Sequence, residues 1–156
     1  MPILTKLRDY LDQHHVRYEV LSHPQAFTAQ RVAEAQHVHG KEVAKVVIVR
    51  SGGEFLMIVL PAPYRVDLQR AGVVLGKPYL HLATEDQFAN LFAGCEPGAM
   101  PPFGNLYGLP VWVDRALTKD EWIVFNAGTH TQTVRMRYAD FAHLVQPQVA
   151  SLSEED

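Results

Sequence analysis

Three short stretches of this 156-residue chain carry residue types that could do chemistry. The first is Lys45, set within Val43-Ala44-Lys45-Val46-Val47-Ile48-Val49. Strand alternation puts Lys45 on one face with Val43, Val47 and Val49. An ammonium on such a face is costly to bury unless it meets an anion or a run of carbonyls. Either the side chain snorkels to water from the strand start, or a pocket holds it ready for a phosphate or carboxylate. The second stretch is Gly98-Ala99-Met100-Pro101-Pro102-Phe103-Gly104. Prolines fix the backbone and glycines let a ligand approach, so such a loop can hold N–H groups still around a developing oxyanion. An ordinary rigid surface turn is the alternative. The third is Phe125-Asn126-Ala127-Gly128-Thr129-His130, where His130 could serve as base, as hydrogen-bond donor or as a plain turn residue.

Other chemistries lack their signatures. Cys95 is the single cysteine, which excludes an intramolecular disulfide framework and a multi-cysteine zinc site. No cysteine-protease pattern surrounds it. No serine lies in a G-x-S-x-G elbow, no Walker loop ends in Gly-Lys-Ser/Thr, and HExxH is absent. The pairs His14/His15 and His37/His39 lack the i,i+4 spacing of metal ligands, so neither a metal nor another cofactor is expected. Arg135 and Arg137 share a strand face and could form a small phosphate patch or simply a solvated surface.

The elements that must position these residues follow from periodicity. Leu4, Leu7, Tyr10 and Leu11 recur at helical spacing and predict a helix over residues 3–14. Val16, Tyr18 and Val20 alternate as a half-buried strand. After the loop from His23 to Phe27, Thr28 can cap a helix over 29–38 that stops at Gly40. Strands over 43–50 and 54–60 flank Ser51-Gly52-Gly53, a strong hairpin signal ended by Pro61 and Pro63. Asp67 can cap a short helix to Val74, and Thr84 with Gln87 has capping-box spacing for a helix across 85–93. Residues 94–109, with four glycines and three prolines, read as one long loop, which points to function more than to connection. Strands over 111–114, 122–126 and 131–137 and a helix over 138–145 complete the chain. Strands joined by short turns favour a mixed, largely antiparallel α+β domain over a doubly wound sheet.

Residues 1–150 form one expected domain, and 151–156, SLSEED, an acidic, solvated tail. Lys and Arg number 14 against 17 Asp and Glu, three of which sit in that tail. The near-neutral body lacks the strong basic field of a general nucleic-acid binder, though a local patch could still bind one. The longest apolar run, Phe55 to Pro63, is too short to span a bilayer, and no signal peptide is read at the start. A cytoplasmic protein is the expectation.

Taken in order, several of these pieces resemble one family. His23-Pro24, Phe27-Thr28, Val32-Ala33, Val43 to Val47, Val59-Leu60-Pro61-Ala62, Gly98 to Gly104, Val113-Asp114 and Asn126-Ala127-Gly128 are similar to the YbaK/prolyl-tRNA synthetase-associated editing domain. The resemblance spans roughly residues 20–145, and the ordered set is more specific than any single motif. It implies a compact α+β domain with a partly barrel-like sheet, free-standing because no synthetase catalytic domain accompanies it. The implied activity is deacylation of mischarged aminoacyl-tRNA, with alanine or cysteine on proline tRNA as the family's best-known substrates. The partners implied are the tRNA acceptor end and an aminoacyl-tRNA synthetase. The resemblance assigns catalysis to Lys45, Gly98 and His130, and substrate contacts to Phe27, Thr28, Pro101, Pro102, Asn126 and Gly128. It also implies hydrolysis without a protein nucleophile, assisted by the terminal ribose hydroxyl. A non-catalytic tRNA- or nucleotide-binding module of the same fold is the alternative.

Overall fold

A computed structural model describes residues 4–22, 42–92, 94–96, 98–155 of the chain. The expected helix over 29–38 and the positions of Phe27 and Thr28 lie outside the described residues.

The α1 helix, Thr5–Gln13, buries Leu7 and Leu11 and leads to strand β1, Tyr18–Ser22. The predicted hairpin is present as β2, Ala44–Ser51, and β3, Glu54–Pro61, paired antiparallel from Ala44↔Pro61 to Ser51↔Glu54. A short strand, β4 (Tyr64–Val66), precedes α2, Leu68–Leu75. Asp67 caps α2 by accepting the Arg70 N–H at 3.1 Å, as its position predicts. The two-residue β5, His81–Leu82, comes next. Then comes α3, only Glu85–Phe88, with the Thr84/Gln87 capping box formed in both directions.

The helix expected to reach residue 93 therefore ends early and tightens into a 3₁₀ turn at Ala89–Leu91. After β6, Val111–Asp114, come a 3₁₀ turn, β7 (Trp122–Asn126), β8 (Gln132–Arg137) and α4 (Tyr138–Val145). Strands β9, Gln148–Ala150, and β10, Ser153–Glu155, follow.

The result is an α+β domain with a mixed sheet, mostly antiparallel, as its interleaved strands predict. One sheet has the order β5-β2-β3-β6-β9, with β3·β6 and β6·β9 parallel. A second has the order β1-β8-β7, and β10 pairs with β4. Among the described residues these sheets do not close into a barrel. They share one bridge, Val43 beside Val124 in parallel sense.

Alternate residues of β2 and β3 face two cores. Ala44, Ile48, Met57 and Val59 join Leu7, Leu11, Phe103, Phe125, Val134 and Phe141 in the larger one. Val49, Leu56, Ile58 and Leu60 join Ala71 of α2 and Leu152 in the smaller. Burial of side chains of this size, at about 1.5–3 kcal/mol each, is what holds the sheets together.

Two expectations change. Residues 98–104 are no superficial loop, for Ala99, Met100, Pro101, Pro102, Phe103 and Gly104 are all buried. A 3₁₀ turn follows at Gly104–Tyr107. Phe103 supplies the reason: its ring packs edge-on against Phe141 at 5.4 Å and against Phe125 at 5.7 Å, drawing the prolines in with it.

The chain end is not the solvated tail its acidity suggests. Leu152 is fully buried, Ser153↔Val66 to Glu155↔Tyr64 form a ladder, and Arg65 meets Glu154 at 2.7 Å. The carboxylate of Asp114 ties this segment down, accepting the Leu152 N–H at 2.9 Å and the Ala116 N–H at 3.0 Å.

Candidate functional site

The C-terminal end of β7 is where the singled-out stretches meet. Lys45 is half-buried on the face of β2 that also carries Val47 and Val49, as alternation requires, and lies across from Leu60. The Val43–Val124 bridge joins the start of β2 to β7, with both residues buried. The bridge is isolated, and it sets the start of β2, two residues before Lys45, against the middle of β7. At the end of β7, Asn126 is directly opposite Thr133 on β8. Both contribute a buried side-chain oxygen, Asn126 Oδ1 and Thr133 Oγ1, without a hydrogen-bond partner among the described residues. Buried polar atoms are nearly always satisfied, so these two orphaned oxygens mark the junction out from the rest of the sheet.

Two residues past Asn126, the chain is tied to the Gly98 stretch. The Gly128 N–H donates to Ala99 O at 2.9 Å, and Gly128 O accepts the Glu96 N–H at 2.8 Å. The Glu96 carboxylate accepts the His130 N–H at 3.3 Å. His130 is buried, and its ring lies beside Gly98, whose backbone has φ +80°. That left-handed conformation suits glycine and strains any other residue. Gly128, at φ +96°, is constrained further, since a Cβ there would stand 2.9 Å from Leu4 Cβ. Gly98 itself is exposed, while Ala99 to Gly104 after it are buried.

The tertiary structure thus brings Gly98, Gly128 and His130 together and joins them to Asn126 at the end of β7, the strand to which the start of β2, carrying Lys45, is bridged. Pro101 and Pro102 lie buried beneath the stretch.

Glu96, which sequence reasoning missed, is the clasp between the two loops. Nothing in its spacing signals this, because its partner is 34 residues away. Thr133 was missed as well, hidden in a plain strand pattern. Glu96 also lines a cavity of about 120 Å³ with Glu85, Phe88, Phe92, Cys95 and Met100. Cys95 there is an unpromising nucleophile. Burial pushes its thiol up from the ordinary value, outweighing the downward pull of the Tyr107 hydroxyl at 3.5 Å and of Lys6. Among the described residues no three His, Cys, Asp or Glu side chains are grouped to hold a metal ion. No described helix is long and apolar enough to cross a membrane.

Residues 23–144 match the aminoacyl-tRNA editing domain, most of the chain. The chain belongs to that family. The expected resemblance is thereby shown, and with it the hydrolytic editing class of enzyme. The chain is 26% identical over 147 residues to the multifunctional Ser/Thr-tRNA deacylase ProXp-y of Escherichia coli K12, covering 90% of this chain and 87% of that protein. The fold is similar to that of a candidate trans-editing enzyme for prolyl tRNA synthetase, with a TM-score of 0.82 and 24% identity, over 96% of this chain and 95% of that one. The hypothetical protein APE2540 has the same fold, with a TM-score of 0.86 at 20% identity, over 96% and 99% of the two chains.

Proposed function

We propose that this protein is a deacylase that hydrolyses the ester joining a small, wrongly attached amino acid to the 3′ end of a tRNA. The observation that carries the reading is the junction at the end of β7, where the Gly98 backbone meets His130 in the turn between the paired residues Asn126 and Thr133, and to which strand the start of β2, carrying Lys45, is bridged. In this reading the ester carbonyl sits over the exposed Gly98, whose backbone N–H takes up charge as the oxyanion develops, the Ala99 N–H being held by Glu96 O at 3.0 Å. Lys45 anchors the terminal adenosine through its phosphate or ribose. Water, oriented by the free hydroxyl of the terminal ribose, adds to the carbonyl carbon. The carbon–oxygen ester bond then breaks, and a proton passes to the departing ribose oxygen. Free amino acid and uncharged tRNA result. His130 holds the geometry beside the reacting carbonyl. Phe27, Thr28, Pro101, Pro102, Asn126 and Gly128 complete the substrate contacts.

An aminoacyl ester is already activated, so positioning and a preorganised oxyanion site meet most of the catalytic demand. The amino acid is a small one: alanine or cysteine on proline tRNA, with serine and threonine added by the name of the Escherichia coli relative. Pocket size alone discriminates such residues weakly, since a methylene is worth only about 1–3 kcal/mol, and this is why a second sieve is useful. A synthetase is the natural partner, and the cytoplasm the natural site of action. A deacylation panel with Ala-, Cys-, Ser-, Thr- and Pro-charged tRNA tests the proposal. Release of at least one small amino acid, with Pro-tRNA spared, is expected. Binding of all the tRNAs with hydrolysis of none identifies a non-catalytic module instead.

A further inference from the structure

We infer that the open end of one face of the β1-β8-β7 sheet, built on Arg135, Arg137 and Trp122, grips the single-stranded 3′ end of the tRNA as it runs toward the site. The inference rests on the proposed tRNA substrate.

Strand register arranges this face in rows. Trp122 is directly opposite Arg137, Val124 opposite Arg135, and Asn126 opposite Thr133. On the other side of β8, Glu19 is opposite Arg135, and the register carried one residue further sets Arg17 beside Arg137. The arginines and the two unsatisfied oxygens are therefore on the same face. Arg137 is four residues along β8 from Thr133, about 14 Å at about 3.4 Å per residue.

Both guanidinium groups are stacked on one indole. Arg135 Cζ lies 4.3 Å and Arg137 Cζ 4.8 Å from the Trp122 ring centroid. Each also meets a carboxylate at the rim, Arg135 with Glu19 at 3.5 Å and Arg137 with Glu121 at 3.1 Å. Those exposed pairs are weak and screened, so a phosphate can compete for the arginines. The stack itself holds two planar forks in place before any ligand arrives. That geometry suits bidentate phosphate contacts and base stacking, at little cost in side-chain ordering. Beside it, Val16, Arg17, Tyr18, Glu19 and Trp122 line an open groove of about 470 Å³. With Arg17, the face holds three guanidinium groups against the carboxylates of Glu19 and Glu121. This is a local cationic surface on a chain whose net charge is −3. A single-stranded RNA end, with phosphates and unstacked bases together, fits that combination better than a duplex does.

The test is fluorescence anisotropy with a labelled, uncharged acceptor-stem minihelix ending in a single-stranded 3′ overhang, titrated between about 0.05 and about 0.2 M salt. The Arg135→Gln, Arg137→Gln double variant is expected to bind about tenfold more weakly. The slope of log affinity on log salt is expected to fall by about 0.7 for each lost contact on a single strand. Should that variant fold poorly by circular dichroism, Arg135→Lys with Arg137→Lys keeps the charges and loses the planar forks, with a smaller loss expected. Unchanged affinity overturns the inference, and so does weaker binding with an unchanged slope. Because the probe carries no amino acid, the outcome is independent of hydrolysis. Arginine-dependent binding without deacylation by the intact protein would leave this surface standing and remove the proposed activity.

Discussion

A Cβ built on Gly98 would stand 3.5 Å from Cε1 and 3.9 Å from Nε2 of His130. These are ordinary contact distances, so space alone does not demand glycine there. The backbone does, at φ +80°. Gly98→Ala is therefore expected to destabilise by about 1–2 kcal/mol through the left-handed conformation, without unfolding the domain. Gly98→Val presses its branches toward His130 and is expected to lower turnover about tenfold or more, worth about 1.4 kcal/mol or more of barrier. Thermal unfolding alongside deacylation of mischarged tRNA checks both. Activity lost only in proportion to the folded fraction would mean that the stretch is merely structural.

Lys45→Ala is expected to cost about 2–4 kcal/mol of transition-state stabilisation, in line with the loss of a single electrostatic contact elsewhere. The fold should persist, since the side chain is half-buried and its neighbours Val47 and Val49 supply the packing. Single-turnover deacylation with urea unfolding of the same variant decides. Full activity would remove Lys45 from the site.

Cys95→Ser should keep deacylation, and so should treatment with a chelator, because the proposed reaction uses neither a thiolate nor a metal. The variant should also report on alkaline stability. Burial raises the Cys95 thiol above 9.0, the ordinary value, and burial likewise raises the Tyr107 hydroxyl. Groups raised in the folded state contribute stability that is complete below their unfolded values and lost as the pH climbs through the folded ones. Melting temperature is thus expected to be level near about pH 8 and to fall above about pH 9, less steeply in Cys95→Ser. A flat alkaline limb in the parent protein would contradict the buried thiol and phenol.

Asp114→Ala should separate stability from chemistry. It removes the acceptor of two backbone N–H groups, from Ala116 and from buried Leu152. Losing hydrogen bonds to a buried carboxylate is expected to cost about 2–4 kcal/mol and to loosen β10 from β4. Turnover per folded molecule should be unchanged. Urea unfolding with amide exchange at residues 152–155 measures the first effect, and deacylation corrected for the folded fraction measures the second.

Local patterns settled much of the architecture before any packing was known. The Ser51-Gly52-Gly53 turn between two apolar runs defines the β2–β3 hairpin, and Asp67 and Thr84 mark two helix starts, because turns and caps are made by neighbours in sequence. Lys45 was legible for the same reason, as a charge out of place in an apolar strand. Contacts between distant residues stayed hidden. The short strands β4, β5, β9 and β10 have little pattern of their own and exist through their partners, as β10 does through Val66 and the Asp114 carboxylate. The run of glycines and prolines reads as a surface loop until Phe103 finds Phe141 and Phe125, and burial then outweighs composition. Asn126 and Gly98 are 28 residues apart in sequence. Residue types could nominate them, but only the β7 register and the bonds of Gly128 to Ala99 and Glu96 bring them to one place, because long-range pairing is decided by the whole core and not by any local stretch.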